Sequence, residues 1–287
     1  MQSVSIVGCG YTGRRLAERL LQSGARVRGF ATQSDSLRRI AAAGAEARPL
    51  DLDAVMAPID LAGDLVYYAV PPASQVGDPR LDRFLSGVLG APKRLVYLST
   101  TGIYGDRAGG RVDEDTPPDP LTERATRRLA AENAVRAWAD LRGISWCVLR
   151  VAGIYGPDRL PLDRLRRQVP AIVAHEAGPG NRIHVNDLVT ACVAAGYAAV
   201  ADRRIYNVTD GSDESTTEFL RRIACIAGLP PPPLMSRAEA LRALPATARS
   251  FLTESRRVDN RRMLTELGVA LEYADLDAGI RACLHAT

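Results

Sequence analysis

Lysine is almost absent from this chain: of its 37 basic residues only Lys93 is a lysine. The rest are arginine, a bias we attribute to coding composition. Histidine is scarce, and His175, His184 and His285 stand at no metal-ligand spacing. The five cysteines (Cys9, Cys147, Cys192, Cys225 and Cys283) are odd in number and form no C-x-x-C pair. That excludes a disulfide framework and a cysteine zinc site, and fits reduced thiols in a cytoplasmic protein. No basic tract accompanies the net charge of +4, so a nucleic-acid footprint is not expected. The longest apolar run, LVTACVAAGYAAVA (188–201), falls short of a bilayer span and reads as a buried helix. The opening MQSVSIVGCG lacks the charged start of a signal peptide.

What remains is the composition of an ordinary globular protein, 46% hydrophobic and 24% charged over 287 residues. Apolar β-rich runs alternate with helical patterns. Strands are expected at 3–8, 26–30, 46–49, 64–71, 93–100 and 144–150, with a long helix over about 122–142. Such alternation implies an α/β fold, a doubly wound parallel sheet of Rossmann type covered by helices on both faces. After residue 155 the rhythm changes. The expected organisation is a dinucleotide-binding domain over 1–155, to which 182–210 return. A smaller substrate lobe takes 156–181 and 211–287, with Pro230–Pro233 as a stiff connector.

The stretch IVGCGYTGRRLA places Gly8, Gly10 and Gly13 in G-x-G-x-x-G spacing between a strand and a helix. Gly8 permits the tight turn, Gly10 admits a pyrophosphate, and Gly13 lets helix and strand approach. The helix N-terminus, with Tyr11 and Thr12, would then hold phosphates on free N–H groups. A carboxylate about 20 residues on would bind a ribose 2′-hydroxyl. The second strand instead ends in Phe30-Ala31-Thr32, and Asp35 comes late enough to belong to the next helix. Arg14 directly follows the third glycine, within reach of a 2′-phosphate. Together these favour NADP(H) over NAD(H).

The order of GCGYTGRRLA, LSTTGIYGD, LRVAGIYGP, RIHVNDLV and YNVTDG resembles the short-chain dehydrogenase/reductase superfamily. More narrowly it resembles the extended NAD-dependent epimerase/dehydratase family and its atypical, YeeZ-like members. The resemblance covers residues 2 to about 210, with an echo in RRVDNRRMLTELG. It implies a catalytic hydroxyl at Thr100, four residues before Tyr104. It implies cofactor contacts from Asp51 and Leu52 on the adenine side, from Ala69, Val70 and Pro71, and from the segment starting at Val151 near the nicotinamide. A small-molecule substrate, sugar-like or anionic, and a monomer or homodimer are expected.

The family's Y-x-x-x-K pair is missing. Aligning the glutamate that follows it by four residues on Glu132 puts Arg128 at the lysine position and Arg124 at the tyrosine position. Arginine supplies charge and hydrogen bonds but does not exchange protons near neutral pH. Three readings stay open. In an oxidoreductase, Arg124 anchors an anionic substrate, Thr100 and Arg128 stabilise an oxyanion, and Tyr104 supplies the proton. In a binding module, NADP(H) is held without turnover. In the third, both arginines are solvated and pair with Glu123 or Glu132.

Overall fold

The computed structural model describes residues 2–73, 77–243 and 254–285. Seven parallel strands form the central sheet: β1 (Ser3–Val7), β2 (Arg26–Ala31), β3 (Glu46–Pro49), β4 (Leu65–Tyr68), β5 (Arg94–Thr100), β6 (Ser145–Val151) and β7 (Arg204–Val208). Their order is β7-β6-β5-β4-β1-β2-β3. The chain winds outward from β1 in one direction, then returns to start β4 on β1's other side. This is the doubly wound α/β fold expected from the alternation.

Burial on both faces follows from the period of two along each strand. Val4, Ile6, Leu65, Tyr67, Val96, Leu98, Cys147 and Leu149 face one way. There they meet α1 (Tyr11–Gln22) through Leu16 and Leu20, and α6 (Val185–Tyr197) through Leu188 and Ala191. Val7, Val66, Tyr68, Leu95, Tyr97, Trp146 and Val148 face the other way. They meet Phe84 and Leu85 of α3 (Pro79–Gly87) and Val135 and Ala139 of α4 (Glu123–Leu141). Both of these last helices start where the sequence offers an acceptor: Thr122 Oγ1 takes the Ala125 N–H of α4 at 3.2 Å, and Asp78 takes that of Leu81 of α3 at 3.2 Å. The helix α2 (Ser34–Ala42) packs beside β2 and β3.

A separate apolar cluster joins Tyr155, Leu165 of α5 (Leu162–Arg166), Leu220 and Ile223 of α7 (Thr216–Ile226), and Ile280 and Cys283 of α10 (Leu276–His285). Two placements differ from the reading of the sequence. Arg182–His184 does not enter the main sheet but pairs with Gly153–Tyr155, because β6 ends at Val151 and the chain diverges there. Residues 257–269, grouped above with the smaller lobe, pack on the main sheet. The short strand Arg257–Val258 pairs with Arg111–Val112, and Met263 of α9 (Arg261–Glu266), Leu267 and Val269 join the core beside β7. The short helix α8 (Arg237–Ala243) precedes residues outside the described set. Among the described residues, no helix is long and apolar enough to cross a membrane.

Candidate functional site

In an open α/β sheet, ligands bind beyond the carboxyl ends of the strands where the winding reverses. Here that point lies between β1 and β4, and a cleft of about 630 Å³ opens there, within the range of small-molecule sites. The glycine loop forms its floor. Gly8 has φ +86, and a Cβ on it would lie 2.8 Å from Val70 N and 2.9 Å from Ala69 C. A Cβ on Gly13 would lie 3.0 Å from Gly8 O and 3.1 Å from Ile6 Cγ2. A Cβ on Gly10 would meet nothing within 4 Å. Two glycines are thus required by the protein itself, while the third faces open space. No side chain caps α1 at Gly10, so the N–H groups of its first turn have no side-chain acceptor. The residues present fit a dinucleotide's pyrophosphate.

The outer end of the cleft is built from the ends of β2 and β3. Thr32 Oγ1 donates to Leu50 O at 3.1 Å, and Thr32, Gln33, Ser36, Asp51 and Leu52 line the space. Asp53 holds Arg80 in a two-pronged pair at 2.7 and 2.5 Å, and that bond pulls the Asp53 carboxyl below its ordinary range. Asp35 sits in the first turn of α2, paired with Arg38 and Arg39. Arg14 is half-buried near Cys9 and does not line the cleft. It is one position past Gly13, already on the first turn's flank.

The inner end lies over β4, β5 and β6. Ala69, Val70, Pro71, Leu98, Ser99, Arg128, Val151 and Ile154 line it. Arg128 reaches from α4 across the strand ends. Its Nη1 donates to Leu98 O at 3.0 Å, to the Tyr97 hydroxyl at 3.1 Å and, more weakly, to Val70 O at 3.5 Å. Burial pushes the Tyr97 phenol up to about 12, against the pull of Arg128. One turn further along α4, Glu132 is buried and accepts from Ser99 Oγ and from Arg150 at 3.1 to 3.4 Å. Arg150 continues to the Tyr104 hydroxyl at 2.9 Å, and Tyr104 donates to Asn207 Oδ1 at 2.7 Å.

Three of the expected residues, Tyr104, Arg124 and Thr100, lie outside the lining of the cleft. Tyr104 is fully buried, has both hydroxyl functions engaged, and does not line the cleft. Burial raises its phenol to about 12, and its two hydrogen bonds tie β5's end to β6 and β7. Arg124 is exposed on the first turn of α4, one helical turn before Arg128, and is not among the lining residues. Thr100 Oγ1 accepts the Gly102 N–H at 3.2 Å, capping its own turn, and also lies outside the lining set. Glu123 pairs with Arg127 at 3.4 Å.

Reading the sequence missed Ser99, Arg80 and Arg159, all of which line the cleft. Ser99 carries a signal in hindsight, the Ser-Thr-Thr run at a strand end. Arg80 and Arg159 follow loops whose course no local pattern specifies.

The profile of the NAD dependent epimerase/dehydratase family matches residues 85–209. The protein YeeZ of Escherichia coli (strain K12) is 27% identical over 96% of this chain and 97% of its own length. A solved structure from Silicibacter pomeroyi DSS, described as a functionally unknown conserved protein, is 31% identical, covering 100% of this chain and 99% of that one, with a TM-score of 0.82. The UDP-glucuronic acid 4-epimerase from Bacillus cereus, solved with UDP-glucuronic acid and NAD, shares the fold at 18% identity and a TM-score of 0.73, covering 98% and 97% of the two chains.

Proposed function

The chain belongs to the NAD-dependent epimerase/dehydratase family of the short-chain dehydrogenase/reductase superfamily, and from that premise we propose that it is an NAD(P)-dependent oxidoreductase of the atypical type. It takes a nicotinamide dinucleotide in the cleft and serves hydride transfer at a hydroxyl or carbonyl carbon of a small, anionic or sugar-like substrate, in the cytoplasm. The observation that carries the reading is Gly10. It is the one glycine of the triad whose Cβ direction is open, at an uncapped helix N-terminus facing the cleft.

The bound cofactor would supply the hydride. Gly8, Gly10, Tyr11, Thr12 and Gly13 bind its phosphates, and Ala69, Val70, Pro71 and Val151 flank its inner half. NADP(H) is preferred because β2 ends without a carboxylate and the first turn of α2, uncapped by any side chain, borders the cleft through Gln33 and Ser36. Arg14 contributes little to that preference from its position outside the lining. Arg128 places a permanent cation at the ends of β4 and β5, where it stabilises charge developing on a carbonyl oxygen. It moves no proton. None of the side chains at the inner end exchanges a proton readily near neutral pH, so the proton is assigned to water. The smaller cluster around α5, α7 and α10 is the substrate side.

The engagement of Tyr104 within the protein favours a second reading, in which the dinucleotide is bound without turnover. Calorimetric titration with NADPH and NADH, followed by spectrophotometric assay against anionic ketones and nucleotide sugars, separates them. Binding with oxidation of the cofactor supports the oxidoreductase. Binding with no turnover in either direction supports the module, and no binding overturns both.

A further inference from the structure

Past β6 and the strand Gly153–Tyr155, the chain makes a tight turn over Gly156–Arg159. Arg159 N–H donates to Gly156 O at 3.0 Å, with Pro157 second and Asp158 third. Asp158 has φ +64, a left-handed conformation that a non-glycine residue enters at a cost. The turn is pressed onto the first residue of α1. Tyr11 Oη donates to Pro157 O at 2.8 Å, and a Cβ on Gly156 would come within 2.4 Å of that hydroxyl. The consequence is the placement of Arg159. Its guanidinium carbon lies 4.1 Å from the Tyr11 ring centroid, and that of Arg15 lies 4.0 Å from the same centroid.

Two guanidiniums against one ring repel each other, and the ring's quadrupole offsets only part of that. Among the described residues, neither arginine forms an ion pair with a carboxylate. Arg159 lines the cleft together with the glycine loop. A charge held by a strained turn, against like charge, at the edge of a phosphate-shaped floor is a charge arranged for an anion.

We propose that Arg159 closes on the dinucleotide's pyrophosphate from the side opposite the glycine loop, with Tyr11 as the platform that holds it there. This rests on the reading that the cleft binds a dinucleotide. The pyrophosphate is favoured over a substrate anion by position. Tyr11 directly follows Gly10, whereas the inner end lies at Ser99, Arg128 and Val151. The smaller lobe thereby contributes a cofactor contact, and loading of the cofactor fixes the 156–159 turn.

The test is calorimetric titration of the intact protein and of Arg159→Ala and Arg159→Lys with two probes, NADPH and adenosine 2′-monophosphate, which has no pyrophosphate. Loss of a charge-assisted contact should raise the NADPH dissociation constant about tenfold or more in Arg159→Ala. The loss should be smaller in Arg159→Lys, and adenosine 2′-monophosphate should bind all three proteins alike. The dependence of NADPH affinity on salt should also flatten in Arg159→Ala. The exposed side chain leaves the melting temperature unchanged, so a folding defect is not mistaken for a binding one. Unchanged NADPH affinity in Arg159→Ala, in a parent that binds NADPH, overturns the clamp and leaves the dinucleotide reading standing. So does an effect confined to the Michaelis constant of a substrate. A parent that binds neither NADPH nor NADH overturns the dinucleotide reading and the clamp with it.

Discussion

The three glycines of the loop make one prediction in which stability and binding must separate. Gly8→Ala forces a side chain into a left-handed backbone, at about 1–2 kcal/mol. It also pushes a Cβ to 2.8 Å from Val70 N, which is backbone and cannot swing aside. Overpacking of this kind adds about 1–3 kcal/mol. At roughly 2–4 °C per kcal/mol for a chain near this size, the melting temperature should fall by roughly 5 °C or more. Gly13→Ala meets Gly8 O at 3.0 Å but recovers up to about 1 kcal/mol of helix propensity, so its fall is smaller. Gly10→Ala touches nothing within 4 Å and loses at most about 1 kcal/mol of cap preference. Yet it fills the space where phosphate N–H contacts must form. Losing one such contact costs about 1.5–3 kcal/mol, or roughly 10- to 150-fold in affinity. Thermal scans with and without NADPH read both quantities. At a ligand concentration of 100 times its dissociation constant the parent gains about 2.7 kcal/mol. A variant bound a hundredfold more weakly gains about 0.4 kcal/mol at the same concentration. A Gly10→Ala protein that gains as much as the parent would refute the assignment of the cleft. A Gly8→Ala protein that melts with the parent would refute the conformational argument.

NADPH should bind about tenfold or more tightly than NADH, as one added charge-assisted contact implies, and Arg14→Ala should leave the ratio unchanged; equal dissociation constants reject the preference. Tyr104→Phe strands Asn207 Oδ1 and an Arg150 N–H in the interior, costing about 1–3 kcal/mol, while NADPH affinity and any turnover stay as in the parent; a selective loss of turnover would restore Tyr104 as the proton source. Arg124→Ala should leave NADPH affinity unaltered, and Arg128→Ala should lower it, both read by calorimetry. Stability should depend on His184, which burial lowers to about 4. The unfolded chain binds that proton near 6.5, so the contribution is complete above pH 6.5, shrinks as pH falls, and is gone below about 4, a change of about 3 kcal/mol. Asp210, raised to about 6 by burial, acts in the opposite sense, its penalty growing as pH rises from 3.8 to 6. The difference between parent and His184→Asn unfolding curves therefore isolates the histidine, and a difference flat from pH 7 to 4 contradicts its buried neutral state.

The sheet and the glycine loop were legible because both are local. Unbroken apolar runs such as LVYY (65–68) and the LVYL of RLVYLST (94–100) announce strands buried on both faces, and the loop's constraints close within six residues, Gly8 to Gly13. The inner end was not legible, because its contacts span 18 to 103 residues. Glu132 served only to set the alignment of α4, yet in the fold it is the centre of the site's support. It accepts from Ser99 on β5 and Arg150 on β6 and so fixes the ends of both strands, while Arg128 bridges β5 to the segment after β4. That arrangement also answers what an arginine does at a lysine's position. A lysine is a point donor, whereas a planar guanidinium has several N–H groups on one rigid frame. Here Arg128 spends Nη1 on Leu98 O and the Tyr97 hydroxyl, while the residue itself lines the cleft. The cation is thus held by the sheet, not by the ligand. The role we propose for it is oriented charge, since a guanidinium does not exchange the proton that a Tyr-Lys pair exchanges.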